Sequence, residues 1–235
     1  MKNIIVVCKR GFKRTRMYTV EHVNIMKNML DRHGTEYDNF VCITDQKDTM
    51  PSDIEVFEIP DIPQHKGWWA KIETFNPKLP VTGDNLYIDL DCVVVDNLDC
   101  LWEYQPGGPC KIINCSKYYA DTVGWQYNSS VYRYKISDFE FIWWDYRTKW
   151  EHIQRNYFFG DEKYTSDMDK KSKMYPEEWI YNYEHVILQG GRHHMTSIKA
   201  EITDSVLPEN SKIVWFGGGH KPWRCKDNTI KEHYQ

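Results

Sequence analysis

The sequence feature that most constrains the fold is a short apolar run that ends in two aspartates. Residues 85–88 read Asn-Leu-Tyr-Ile, and Asp89 and Asp91 follow with Leu90 between them. A run of this length after a glycine-containing turn predicts a strand buried in an α/β sheet. Side chains two positions apart in a strand share a face, so Asp89 and Asp91 should point the same way while Leu90 points into the core.

This pair of carboxylates predicts a divalent metal. Two carboxylates held together repel each other, and burial beside apolar residues increases the cost. A hard cation such as Mg²⁺ or Mn²⁺ removes the repulsion, and it is commonly held by one or two carboxylates plus the phosphates of a substrate. We therefore expect Asp89 and Asp91 to hold a cation that presents a diphosphate. The alternative is that both are ordinary turn residues, because aspartate is common where a strand runs into a turn.

The remaining predicted elements are typical of a nucleotide-binding α/β sheet. Further strands are predicted over residues 4–8, 40–43, 54–59, 110–113, 127–132 and 212–216, and helices from about 18 to 34, over 67–75, at 98–102 and over 139–157. No internal repeat or linker divides the chain. We expect one domain over residues 1–235, with a nucleotide-binding part to about residue 95 and an acceptor- and sugar-binding part from about 96 to 235.

Several local details are predicted as well. Thr19 is expected to cap the first helix, and Gly34 lies where a left-handed helix stop would fall. In segment 67–75, a helical stripe of Trp68, Ile72 and Phe75 is expected to be buried. Residues 163–174 are the most polar stretch and are predicted to be a surface loop, with a mobile lid as the alternative. Residues 179–187 fit a helix and a strand equally well.

Charge and cysteine content restrict the class of protein. The net charge of -4 gives no basic field, which argues against a duplex nucleic-acid partner. No apolar run approaches the length of a membrane span, and the N-terminus lacks a signal-peptide core. The 7 cysteines are odd in number and include no Cys-x-x-Cys pair. This pattern favours reduced thiols and a soluble protein of the cytoplasm.

Four further motifs accompany the aspartate pair. In order, the five are Gly67-Trp68-Trp69-Ala70-Lys71, Tyr87-Ile88-Asp89-Leu90-Asp91, Asn128-Ser129-Ser130, Gly160-Asp161-Glu162 and Gly218-Gly219-His220-Lys221-Pro222-Trp223. Together they resemble nucleotide-sugar glycosyltransferases of the GT-A fold, especially small glycogenin-like or bacterial galactosyltransferase-like enzymes. The resemblance implies an α/β, Rossmann-like GT-A domain whose central sheet is mixed, mostly parallel and flanked by helices.

The resemblance also implies a reaction and a set of roles. The chain would be a metal-dependent hexosyltransferase that uses UDP-glucose or UDP-galactose and retains the configuration of the sugar. Asp89 and Asp91 would hold Mn²⁺ or Mg²⁺. The donor-binding residues would be Tyr18 against the nucleobase, Asn128 and Ser129 facing the sugar, Lys71 touching the donor, and Gly218 and Lys221 at the diphosphate.

The chain departs from these relatives at two positions. Asp161 matches an acidic residue near the reaction centre, and Glu162 replaces the glutamine that follows it, which adds a second carboxyl group beside the developing cationic sugar carbon. We expect both residues to be catalytic. Trp215 stands where relatives carry a metal-binding histidine. His220, within the glycine loop, is the candidate for that third ligand, and a plain surface histidine is the alternative.

Two other functions remain open at this stage. A sugar-phosphate nucleotidyltransferase would need a glycine-rich loop with Arg and Lys directly after the first strand, and Lys9-Arg10-Gly11-Phe12 matches it poorly. A non-catalytic sugar-binding module could use a tryptophan face, but it would not need a buried aspartate pair. The sequence does not identify the acceptor.

Overall fold

The computed structural model describes residues 1–10, 18–106, 111–114, 127–158, 160–184, 203–217 and 220–235, with the backbone alone at 111–114. Its strands are β1 (Lys2–Cys8), β2 (Asn39–Thr44), β3 (Glu55–Glu58), β4 (Asp84–Ile88), β5 (Cys92–Val94), β6 (Lys111–Asn114), β7 (Tyr127–Tyr134), β8 (Lys173–Met174), β9 (Ile180–Asn182) and β10 (Ile213–Trp215). Its α-helices are α1 (Val20–Arg32), α2 (Asp99–Glu103), α3 (Ile136–Asn156), α4 (Asp161–Met168) and α5 (Asn228–His233). Short 3₁₀ segments cover Lys47–Thr49, Pro63–His65, Gly67–Phe75 and Pro222–Arg224.

The strands form a large mixed sheet and a small one. The large sheet has the order β3-β2-β1-β4-β7-β6-β8, and within it β7 alone runs against its neighbours β4 and β6. The small sheet has the order β5-β10-β9, with β5 antiparallel to β10. The predicted α/β fold with a mixed, mostly parallel sheet is therefore confirmed.

The large sheet is buried on both faces. From β1, Ile4 and Val6 enter the core cluster that includes α1, while Ile5 and Val7 enter the cluster that includes α3. Burial on both faces explains why β1 has a continuous apolar run instead of an alternating one. The sheet is flanked by helices on each side, as the sequence predicts.

The predicted limits of the first helix are confirmed. Thr19 is the N-cap of α1, and its backbone N–H donates to Nδ1 of His22 at 3.0 Å. Gly34 follows the helix with φ +64°, the left-handed conformation that favours glycine after a helix.

The predicted buried stripe of segment 67–75 is wrong at one residue. The segment is a 3₁₀ helix, in which three residues make a turn and side chains three positions apart lie above one another. Trp69, Ile72 and Phe75 consequently share the buried face. Trp68, which an α-helical period would place with Ile72 and Phe75, is 49% exposed.

The predicted surface loop over residues 163–174 is also wrong. Its first half belongs to α4 (Asp161–Met168), and its end forms β8. Tyr164 is the buried anchor of this helix, with ring centroids 6.1 and 6.2 Å from those of Trp69 and Tyr146, and Met168 adds a partly buried contact. The polar composition of the stretch conceals this contact.

Two further observations concern the helices and the cysteines. In the part of the chain that the structure describes, no helix combines the length and the apolar character needed to span a membrane. Cys8, Cys42 and Cys92 are buried free thiols.

Candidate active site

The two aspartates of the central motif lie in a turn at the carboxyl end of β4. The strand ends at Ile88, and the turn is closed by a hydrogen bond of 2.9 Å from the N–H of Cys92 to the carbonyl oxygen of Asp89. The prediction that Asp89 and Asp91 share a strand face is therefore wrong, because the strand stops before them. Leu90 is buried, as predicted.

The turn still places the two carboxyl groups in one electrostatic environment. Burial raises the pKa of Asp89 above its ordinary value, and the charge of Asp91 raises it further, against the opposing effect of Lys71. One oxygen of Asp89 also accepts a hydrogen bond from the hydroxyl of Tyr87. The pair is therefore crowded with negative charge and removed from water.

Lys71 joins three of the predicted site residues. Its ammonium nitrogen lies 2.9 Å from Oδ2 of Asp89, 3.2 Å from Oγ of Ser129 and 3.8 Å from Oδ2 of Asp161. Burial lowers the pKa of Lys71, but the carboxylates of Asp161 and Asp89 outweigh it and the net shift is upward. Lys71 is thus a fixed positive charge at the centre of the site.

Asp161 and Glu162 begin helix α4 and are held by Ser129 of β7. The hydroxyl of Ser129 donates to Oδ2 of Asp161, and its backbone N–H donates to Oε1 of Glu162, each at 3.1 Å. Burial raises the pKa of both carboxyl groups, that of Glu162 to about 7. A carboxyl group that titrates near neutral pH is suited to proton transfer.

Asn128 lies beside this group on β7 but is turned toward its own strand. It is 8% exposed, and its Oδ1 accepts the N–H of Ser130 at 2.9 Å. The carbonyl oxygen of Ser130 in turn accepts the N–H of Asp89 at 2.8 Å. Asn128 therefore supports the strand end that carries the site, and its predicted contact with a donor sugar stays a prediction.

Asp91 forms an ion pair with a second lysine, Lys221. The ammonium of Lys221 pairs with Oδ2 of Asp91, and the side chains are 17% and 7% exposed. The hydroxyl of Tyr18 is close to the carboxylate of Asp91. Burial, followed by the charges of Asp91 and Asp89, raises the pKa of this hydroxyl. Its ring meets Trp223 edge-on with a centroid distance of 6.0 Å. Whether Tyr18 also packs on a nucleobase stays a prediction.

The predicted third metal ligand, His220, does not form a three-ligand cluster with Asp89 and Asp91. His220 is exposed, and among the described residues no three His, Cys, Asp or Glu side chains lie close enough together to hold a metal. Gly218 lies outside the described residues. Asp89 and Asp91 nonetheless fit a cation that takes two protein carboxylates and completes its shell with phosphate and water oxygens, because their mutual repulsion is what such a cation relieves.

Glu184 is a site residue that the sequence analysis missed. Its Oε2 accepts the N–H of Gly217, at the start of the glycine loop, at 3.2 Å, and its Oε1 is buried with no hydrogen-bond partner in the described part of the chain. Burial raises the pKa of Glu184, while His220 and Lys221 oppose the shift. It lies in the stretch whose structure the sequence leaves undecided, so no pattern marks it.

The site lies where ligands bind in open α/β sheets, at the carboxyl ends of parallel strands. No protein-family model matches the chain, and no curated protein matches its sequence. Solved structures do match: an active-site mutant of LgtC superposes with a TM-score of 0.67, 10% identity and coverage of 98% of this chain and 93% of that one. The chain has the GT-A glycosyltransferase fold. The fold that the five motifs imply is thereby confirmed.

Two further structures share this GT-A fold. The galactosyltransferase LgtC in complex with donor and acceptor sugar analogues has a TM-score of 0.64 and 11% identity, over 98% of this chain and 93% of that one. The glycosyltransferase GlyE of Streptococcus pneumoniae TIGR4 has a TM-score of 0.65 and 12% identity, over 100% of this chain and 61% of that one. At these identities the similarity establishes the fold alone.

Proposed function

We propose that this protein transfers a hexose from a UDP-linked donor to an acceptor hydroxyl, with Mn²⁺ or Mg²⁺ as cofactor. The observation that carries the proposal is the joining of Asp89 and Asp161 through Lys71, with Asp91 and Lys221 adjacent, in the ligand-binding region of a GT-A sheet. A non-catalytic sugar-binding face would not require this concentration of buried charge.

Lys71 and Lys221 can stabilise the negative charge that develops on the donor diphosphate. When the bond to the sugar breaks, the diphosphate gains negative charge and the sugar carbon becomes cationic. Lys221 and Lys71 are fixed positive charges in a site largely removed from water, where they stabilise such charge more strongly than they would in solution. A cation held by Asp89 and Asp91 would add Lewis-acid stabilisation of the leaving diphosphate.

The carboxyl groups of Asp161 and Glu162, at the start of α4, can act on the sugar carbon and on the acceptor. Ser129 and Lys71 both contact Oδ2 of Asp161, so the carboxylate group is held in one orientation. Glu162 titrates at about 7 and can exchange a proton with an acceptor hydroxyl at neutral pH. We assign Asp161 to stabilisation of the cationic sugar carbon and Glu162 to proton transfer.

The finer points of the proposal rest on the motif resemblance. These are glucose or galactose as the transferred hexose and retention of its configuration. The complex of LgtC with donor and acceptor sugar analogues supports a sugar donor for this fold. The buried free thiols support the proposed cytoplasmic location.

Calorimetric titration with UDP, with and without Mn²⁺, tests the proposal. UDP should bind tightly only when Mn²⁺ is present, and Asp91→Asn should remove the metal-dependent part of the affinity. Asp48→Ala, at an exposed aspartate of segment Lys47–Thr49, is the control and should bind as the wild type does. Slow hydrolysis of UDP-glucose or UDP-galactose would then identify the sugar. A folded wild-type protein that binds UDP under neither condition would refute the donor assignment.

A further inference from the structure

The indole of Trp68 lies at the edge of the candidate active site with about half of its surface open. Residues three apart in a 3₁₀ helix lie above one another, so Trp68 shares a face with Lys71, the lysine that contacts Asp89 and Asp161. Its neighbour Trp69 is 6% exposed, whereas Trp68 is 49% exposed. The segment thus presents one tryptophan to the core and the next one beside the site.

The absence of a side chain at Gly160 leaves room for this indole. A Cβ atom built on Gly160 would be 2.4 Å from Nε1 and 2.7 Å from Cδ1 of Trp68, so the pyrrole edge rests directly on the glycine backbone. Gly160 immediately precedes Asp161 and has φ +102°. Any larger residue at this position would displace the ring. Trp68 therefore contacts the residue that immediately precedes Asp161.

Exposed aromatic side chains are common on protein surfaces, and most need no explanation. The position of Trp68 differs because it combines three properties: a large open area, direct contact with Gly160, and a place next to Asp161. A flat aromatic side chain has few rotatable bonds, so it loses little conformational entropy when a ligand ring stacks on it. These are the properties of a stacking platform for a ligand ring.

We infer that Trp68 stacks on a sugar ring of a carbohydrate acceptor. This inference rests on the proposed function. A pyranose has an apolar face of C–H groups and a rim of hydroxyls. The indole suits the apolar face, and the carboxyl groups of Asp161 and Glu162 can accept hydrogen bonds from the hydroxyls. The proposed function assigns proton exchange with the acceptor hydroxyl to Glu162, and Trp68 contacts Gly160, two residues before Glu162, so we place the acceptor on the Trp68 side.

A titration that needs no donor tests the sugar site directly. The protein is labelled with 5-fluorotryptophan, and the ¹⁹F resonance of Trp68 is assigned by its loss in Trp68→Phe. The probes are methyl glucoside, methyl galactoside, lactose and maltose at millimolar concentrations. We expect at least one to shift the Trp68 resonance in a saturable way. The resonance of Trp144, which is 52% exposed on α3, serves as the internal control and should stay unchanged.

Kinetics with the saccharide that shifts Trp68 provide the second test. Trp68→Ala should raise the KM for that saccharide by about tenfold or more, as expected for loss of a stacked ring. The donor KM and the rate of UDP-sugar hydrolysis should remain at wild-type values, and Trp144→Ala should change none of these quantities. An equal rise of the donor KM would instead place Trp68 on the donor and overturn the inference.

The two proposals fail in different ways. If no saccharide shifts Trp68 while the wild-type protein hydrolyses a UDP-sugar, the acceptor site is refuted and the proposed function stands. A Trp68 resonance that responds to a tyrosine-containing peptide and to none of the sugars would also refute it. If the protein neither binds UDP nor hydrolyses a UDP-sugar, the proposed function itself is refuted, whatever the ¹⁹F titration shows.

Discussion

The ammonium of Lys71 lies 2.9 Å from Oδ2 of Asp89, in an ion pair whose side chains are only 15% and 13% exposed. This contact connects the 3₁₀ segment Gly67–Phe75 to the turn after β4. The same ammonium lies 3.8 Å from Asp161 at the start of α4. Three parts of the chain that are distant in sequence therefore share one positive charge, and the stability of the site depends on it.

Lys71→Met should destabilise the protein by about 3 kcal/mol at neutral pH, because it leaves buried carboxylates without their counterion. Lys71 lowers the pKa of Asp89, of Asp161 and of Glu162. Without Lys71 the three carboxyl groups stay protonated to higher pH. The loss in the free energy of unfolding should therefore be smaller at pH 5 than at pH 8. Urea unfolding at both pH values measures it. Lys170→Met, at an exposed lysine, is the control, and an equal loss at both pH values would contradict the prediction.

Glu162→Gln should stabilise the protein increasingly as the pH rises. The pKa of Glu162 is about 7 in the folded protein and 4.5 ordinarily, so between these values the folded state holds more protons than the unfolded state. Its contribution to the free energy of unfolding is therefore absent below about pH 4.5 and becomes unfavourable as the pH rises toward 7. Glutamine keeps the oxygen that accepts the N–H of Ser129 but cannot ionise.

The gain from Glu162→Gln should be about 2 kcal/mol larger at pH 8 than at pH 5. Thermal unfolding at the two pH values, converted to free energies, measures the difference. Glu178→Gln, at an exposed position, is the control and should show the same pH dependence as the wild type. If the gain from Glu162→Gln were independent of pH, the raised pKa would be refuted.

The sequence predicts the sheet well because its central strands are buried on both faces. A run such as residues 4–8 has no polar alternation, and its meaning does not depend on tertiary contacts. Helix α4 could not be predicted in the same way, since one side chain, that of Tyr164, supplies its deep apolar anchor. Trp68 was placed on the wrong face because the 3₁₀ period of 3.0 differs from the α-helical period of 3.6.

The site could be predicted only in part. Asp89 and Asp91 are neighbours in the sequence, so their local pattern indicates shared chemistry. Lys71 and Ser129 are 58 residues apart, and Ser129 and Asp161 are 32 apart, so no spacing rule brings them together. The motif resemblance supplied that grouping, and the structure places these side chains in contact. Glu184 belongs to none of the five motifs, and its place at the site follows only from its burial and its contact with Gly217.

The segment that carries Lys71 is anchored by a buried polar network around Glu73. Its carboxylate accepts from Nδ2 of Asn76 at 2.6 Å and from Nε1 of Trp143 at 3.1 Å, and it lies 2.8 Å from Nε2 of His65. Burial acts to raise the pKa of Glu73, but His65 and the other partners outweigh it and lower the pKa below 4.5. The stability that this group contributes is therefore present above pH 4.5 and is lost as the pH falls through the folded-state pKa.

Glu73→Gln should cost about 2 kcal/mol at pH 7, because the amide turns an N–H toward groups that donate hydrogen bonds. The cost should diminish as the pH falls below 4.5, where the wild type also loses the carboxylate. Chemical denaturation at pH 7 and pH 4 measures both values. Glu55→Gln, at an exposed glutamate of β3, should have little effect at either pH. A cost that grows on acidification would contradict the assigned direction of the shift.

Two glycines with positive φ provide a matched comparison of backbone strain and steric contact. Gly160 has φ +102° and ψ -165°, a conformation almost restricted to glycine, and a Cβ there would lie 2.4 Å from Nε1 of Trp68. Gly34 has φ +64° and nothing within 4 Å of the added atom. Gly160→Ala should therefore cost about 3 kcal/mol and Gly34→Ala about 1 kcal/mol. Adding Trp68→Ala should recover the steric part of the cost at position 160 and none of it at position 34. Urea unfolding of the single and double variants measures this coupling, and purely additive costs of Gly160→Ala and Trp68→Ala would show that Trp68 does not rest on Gly160.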